Sequence, residues 1–240
     1  MNEPLTAVFA AVFALIHIFI GKLRFLDVIP RSRWLSAAGG VAVAYVFLHV
    51  LPQLSVHQET FSRELGLGGR PAEMLVYAVA LIGLAIFYGL ERAAKLARAR
   101  AANGRGHARP FWLHIGSFGL FNVLIGYLLI HRQETGTREL LLYSVAMALH
   151  FVTSDFGLHK DHRERYDRRA RWVLAAAVFA GWGLGVAVML PKIAIGFLFA
   201  FLAGSVILNV LKEELPAERE SRYWPFVLGG VAYAAVLFAG

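Results

Sequence analysis

The sequence predicts an all-α membrane protein: a single transmembrane domain, residues 1–240, of eight membrane-crossing helices. Three observations predict it. Hydrophobic residues make up 58% of the chain and charged residues only 17%, too few for a surface facing water. Mean hydropathy is +0.58. The apolar residues also come in nearly uncharged runs of about 17 to 20, each long enough to cross a hydrocarbon core of ~30 Å as a helix.

The expected spans are 5–21, 34–53, 74–90, 111–130, 139–158, 172–191, 193–211 and 223–239. Pro30 and Arg31 precede the second. Gly66, Gly68 and Gly69, followed by Arg70 and Pro71, form a loop signal before the third. Pro110 opens the fourth, and Pro191 with Lys192 marks a tight turn between the sixth and seventh. The first residues lack a basic leader and a polar cleavage region, so the first run is expected to stay as a helix.

Direction follows from the basic residues. Nineteen of the 24 Lys and Arg fall in the first, third, fifth and seventh loops, counted from the N-terminus, and five on the other side. Positive charge collects on the cytoplasmic side, so both termini are expected on the non-cytoplasmic side. An even number of spans requires the same arrangement. The net charge of +8 then reads as topology and attraction to anionic lipid at the cytoplasmic loops. No soluble module remains for nucleic acid. The chain has no cysteine, which excludes disulfides, thiolate metal sites and thiol redox chemistry.

Two distant segments share a pattern. Gly40 precedes His49, Leu51 and Pro52 by the same spacings as Gly204 precedes Glu213, Leu215 and Pro216. The first copy ends a span that runs outward and the second a span that runs inward, the mark of inverted repeats. Spans one to three would pair with six to eight, leaving four and five between them; coincidence is the alternative, because Gly and Leu-Pro are common in membrane helices.

This arrangement, with the segments Ala44 to Gln53 and Phe201 to Pro216, resembles the ZIP family of divalent-metal transporters. The resemblance covers most of the chain and implies an inverted 3+2+3 arrangement of eight helices, both termini outside, and a variable cytoplasmic loop where this chain has its basic 91–110 segment with His107. It also implies a metal centre between the fourth and fifth helices, where this sequence departs from the family. Against the pattern His-Asn-x-Pro-Glu/Asp-Gly the fourth helix offers Phe121, Asn122, Val123, Leu124, Ile125 and Gly126. Against His-Glu-x-Pro-Glu the fifth offers His150, Phe151, Val152, Thr153 and Ser154.

A divalent cation leaving water needs several O or N ligands and offsetting negative charge. The middle of these two helices supplies no carboxylate. Asp155 is five residues from His150, about 140° around a helix. A two-metal centre is therefore not expected. A single site on His150, Asn122 and Asp155, with Ser154 beside it, is the metal reading, its substrate a divalent ion such as zinc, iron or manganese.

Each polar residue has a plainer reading too. His150 could be a neutral imidazole bonded across helices, Asn122 interhelical glue, and Asp155 a solvated or arginine-paired carboxylate. His49 and Gln53, one turn apart, could line an outer mouth or bind interfacial water. Glu213 could mark an inner exit or a solvated helix end. His17, His114 and His150 raise a haem alternative. His159 and His162 have a metal-compatible spacing, but in so charged a segment a solvated, lipid-facing loop is the expectation. No nucleophile with a paired base supports an enzyme. The leading reading is a ZIP-like divalent cation transporter with an altered site; the alternative is a ZIP-like regulatory or partner subunit that does not transport. Membrane lipid is the expected partner, and a homodimer stays open.

Overall fold

Lipid offers the backbone no hydrogen bonds, so a crossing segment must satisfy its own N–H and C=O groups, as a helix does. The computed structural model describes residues 3–23, 32–102, 109–132, 136–214 and 222–239, and all regular structure among them is helical. α1 (Glu3–Phe19) ends in a tight turn, Ile20–Lys22. α2 (Arg33–Tyr45) starts at Ser32, whose hydroxyl accepts from the Leu35 N–H at 3.1 Å and caps the helix. It runs through a widened π turn, Val46–Val50, into α3 (Leu51–Leu65), which stops at Gly66 with φ 63°. α4 (Arg70–Ala102), α5 (Arg109–His131) and α6 (Thr137–Arg165) follow. A second π turn, Tyr166–Ala170, leads into α7 (Arg171–Ala187), then α8 (Lys192–Glu214) and α9 (Tyr223–Phe238).

Among the described residues seven segments are long and apolar enough to cross a membrane: Glu3–Lys22, Arg33–Leu65, Arg70–Leu96, Phe111–His131, Thr137–Lys160, Arg163–Ala187 and Lys192–Lys212. α9 is apolar but has 16 residues, about 24 Å of helix. Apolar side chains also cover the outside: on α4, Leu81 is 64% exposed, with Met74, Ile82 and Ile86 beside it.

Three boundaries differ from the sequence reading. The second span does not stop near residue 53 but continues to Leu65. Pro52 lacks an N–H, and its ring crowds the carbonyl four residues back; the π turn before it makes room, so the helix goes on. The third extends from Arg70 to Ala102, so much of the expected 91–110 loop is helix; residues 103–108, including His107, lie outside the described residues. Glu91 supports this extension, pairing with Lys95 at 3.0 Å and with Lys212 of α8 at 2.7 Å. The charged 159–171 segment is helical too, but not straight. Tyr166 Oη lies 2.7 Å from Asp155 Oδ2, whereas eleven residues of straight helix would rise about 16 Å. The chain bends between the two.

Close packing centres on three helix pairs: α2 with α9, α4 with α8, and α5 with α7. All three meet through glycine; on α5 and α7 a Cβ on Gly126 would lie 2.3 Å from Val178 O, and one on Gly181 2.1 Å from Val123 O. A Cβ on Gly40 would lie 1.9 Å from Phe226 O, and one on Gly229 2.1 Å from Ala37 O. A Cβ on Gly204 would lie 1.8 Å from Ala80 O, and one on Gly83 2.1 Å from Phe201 O. The α2–α9 and α4–α8 crossings share one spacing. Residues 37 and 40 stand 164 positions before 201 and 204, and residues 80 and 83 stand 146 before 226 and 229. α5 and α6 lie inside this framework, α5 against α7, α4, α1 and α8, and α6 against α2, α1 and α8.

Candidate functional site

Four fully buried polar side chains meet where α1, α5, α6 and the second π turn converge. Asp155 Oδ2 accepts from His17 Nδ1 at 2.5 Å and from the Tyr166 hydroxyl at 2.7 Å. With its proton on Nδ1, His17 presents Nε2 as an acceptor, and Asn122 Nδ2 donates to it at 3.2 Å. The Tyr166 hydroxyl also lies 3.0 Å from the His17 carbonyl; its single proton serves one acceptor at a time. None of the four residues is more than 1% exposed. A carboxylate so far from water is costly unless donors surround it, and His17 and Tyr166 are those donors. Aromatic rings seal the site: Phe151 stands 4.7 Å from the His17 ring, with Phe13 edge-on to Phe151 at 5.2 Å.

His150 sits beside this cluster with different partners. Its Nε2 lies 3.4 Å from Ser154 Oγ, one turn along α6, and its ring is 5.6 Å from Phe121. Of the residues the sequence nominates for a metal, Asn122 and Asp155 are thus brought onto one neighbour, His17, while His150 pairs with Ser154. Among the described residues no three His, Asp or Glu side chains converge as a metal-holding group. Two members of the cluster escape sequence reasoning. His17 carries a signal, an ionisable group inside an apolar span, yet stands there only as a haem candidate. Tyr166 carries none, because it lies in a segment that reads as a charged loop.

A second polar region opens at the other end of α5 and α6. His49, Gln53 and His57 rise in a column on the π turn and α3; Gln53 Nε2 lies 3.3 Å from His49 Nε2, Tyr45 stacks on His49 at 5.0 Å, and His57 packs on Phe199 at 4.8 Å. Opposite them, His131 Nε2 donates to the Gly185 carbonyl at 2.8 Å, Arg132 donates to the Leu129 and Gly136 carbonyls, and Glu139 begins α6. Between the two walls lies a small, partly enclosed vestibule with about 30 Å³ of space open to water, its surface mostly apolar, closed on the far side by α8 through Phe199, Ala203 and Val206. Met147 also lines it, one turn before His150 on α6. His49 and Gln53 therefore face a cavity. Glu213 lies in the last turn of α8, but its side chain, like those of His114 and His162, lies outside the described residues. His159 is not simply solvated: it pairs with Asp167 at 3.2 Å and meets the Tyr166 ring edge-on.

Long apolar helices enclosing ionisable side chains are the construction expected of an integral membrane protein. No protein-family model and no curated protein matches the chain.

Proposed function

We propose that this chain is an eight-span integral membrane protein of ZIP-like arrangement, its termini on the non-cytoplasmic side, that passes a divalent cation between α5 and α6. The observation that carries the reading is the vestibule: three histidines and a glutamate around a cavity that ends one helical turn from His150. Imidazole nitrogens suit zinc and iron, a carboxylate suits manganese as well, and Glu139 contributes negative charge where a cation would shed water. Beyond Met147 the route continues to His150 and Ser154, then to Asp155 and Asn122. There a cation would replace the hydrogen bonds from His17 and Tyr166. A single carboxylate holds one ion weakly, which suits passage: binding must be strong enough to admit the ion and weak enough to release it.

The paired glycine crossings support the inverted repeat. α2 meets α9 as α8 meets α4, at residues related by offsets of 164 and 146 positions, as expected if spans one to three and six to eight are oppositely oriented copies flanking the fourth and fifth. α9 is then the eighth span, its 16 residues reaching across by local thinning of the bilayer.

The test is metal flux into proteoliposomes for wild type, His150→Ala and Asn122→Ala. Wild-type uptake of zinc, iron, manganese or cadmium, reduced at least about tenfold in His150→Ala, supports transport. A second reading, a ZIP-like partner subunit that does not transport, is favoured by one observation: His17, Asn122, Asp155 and Tyr166 already satisfy one another. Absence of flux for all four metals by folded protein removes the transport reading and leaves this one.

A further inference from the structure

At the end of the bundle opposite the vestibule, the turn between α6 and α7 gathers three guanidiniums. Arg165, Arg168 and Arg169 stand at i, i+3 and i+4, which places side chains on one helix face. With Phe111 and Trp112 at the start of α5 they enclose an open pocket with about 220 Å³ of space open to water. Its floor is fixed, because Phe111, Tyr166 and Ala170 are buried together with Ile115 and Leu174. Arg165 lies over the Phe111 ring at 5.7 Å.

Among the described residues the charge in this pocket is poorly compensated. Glu164 pairs with Arg168 at 3.0 Å, both side chains being well exposed. The other carboxylate of the turn, Asp167, is turned toward His159 at 3.2 Å. Among the described residues Arg165 and Arg169 have no ion-pair partner. Two further cation–ring contacts, Lys22 over Phe19 at 5.1 Å and Arg171 over Trp172 at 5.2 Å, belong to the same end of the bundle, where Gly21 abuts His159 and Asp167. Aromatic and basic residues at span ends mark the headgroup level of a bilayer.

We infer that this pocket binds the phosphate of an anionic phospholipid headgroup. Guanidinium forks match phosphate oxygens in charge and geometry. Exposed apolar side chains also follow the pocket residues along the chain, Leu113 after Trp112 on α5 and Val173 four residues after Arg169 on α7; acyl chains would lie along them, and a free phosphate has no use for them. The inference rests on the membrane reading above.

The test uses the full-length protein in detergent with phosphatidylglycerol, phosphatidylcholine of matched chains, or inorganic phosphate, and reads bound ligand by native mass spectrometry. Phosphatidylglycerol should be retained over phosphatidylcholine. Removing two charges, Arg165→Gln with Arg169→Gln, should weaken it about 25-fold, roughly fivefold per charge. The paired Arg→Lys variants should keep part of the affinity, and Arg63→Gln, exposed on α3, should change nothing. Equal retention of both lipids, full retention in the double Gln variant, or capture of inorganic phosphate without lipid preference would each overturn the assignment. Solubility without detergent would instead refute the membrane reading, whereas a detergent-dependent protein without lipid selectivity fails at this site alone.

Discussion

One added methyl group tests the helix crossings most sharply. In Gly204→Ala the new Cβ would sit 1.8 Å from Ala80 O and 2.8 Å from Leu84 N. Both obstacles are backbone, so no rotamer change relieves them. Restoring ordinary contact at 3.4 Å requires α8 and α4 to part by roughly 1.5 Å, which forfeits dispersion contacts along the whole crossing. Overpacking of this kind costs about 1–3 kcal/mol, and a backbone clash belongs at the top of that range. Gly40→Ala meets Phe226 O at 1.9 Å and Gly230 N at 2.9 Å, so it should cost the same within about 0.5 kcal/mol. Gly89→Ala is the control: it faces open space on α4 and should be neutral or stabilise the helix by up to about 1 kcal/mol. Thermal unfolding in detergent, followed by tryptophan emission, gives all three values. Wild-type stability in Gly204→Ala, or equal damage from Gly89→Ala, would refute the reasoning; unequal damage at positions 40 and 204 would argue against the repeat.

Further expectations concern the charged interior. His17→Ala leaves the Asp155 carboxylate buried with Tyr166 as its remaining donor and should cost about 3–5 kcal/mol, whereas His17→Ala with Asp155→Asn should recover at least about 1 kcal/mol in a double-mutant cycle; additive losses would contradict the pairing. Tyr166→Phe removes one hydrogen bond to a charged acceptor, a loss of about 1.5–3 kcal/mol visible as a lower unfolding midpoint. Glu91→Gln gives up the ion pairs to Lys95 and Lys212 and should raise hydrogen exchange at the adjoining ends of α4 and α8 while leaving the α2–α9 crossing unchanged.

The helical framework was legible because lipid-crossing segments announce themselves as long uncharged runs: α1, α5, α8 and α9 lie within a few residues of the expected spans. The extension of the second span was legible only in part. Hydropathy falls after residue 53, yet Leu54, His57 and Phe61 repeat at helical spacing and are all buried, so packing of one face carries the helix onward. The bend at Tyr166 was hidden, since a charged stretch satisfies the pattern of a loop and of a solvated helix equally well. The site divides in the same way. Asn122, His150 and Asp155 stood out as polar groups within apolar helices. The bond from His17 to Asp155 spans 138 residues, and no local pattern encodes a contact at that distance. His57, His131 and Glu139 each look like ordinary end-of-helix residues until the fold sets them around one cavity.

The central claim is that water and ions reach the middle of α6 from the vestibule, and cysteine accessibility tests it most directly. The chain contains no cysteine, so a single introduced thiol reports without background. Met147 lines the inner end of the vestibule, where it is 2% exposed, and Val145, two residues away on the same helix, is half-exposed on the outside of the bundle. In proteoliposomes, Met147→Cys should react with a membrane-impermeant thiol reagent added at the vestibule end, and Val145→Cys, facing lipid, should not. Failure of Met147→Cys to react, or equal reaction at both positions, would contradict the account.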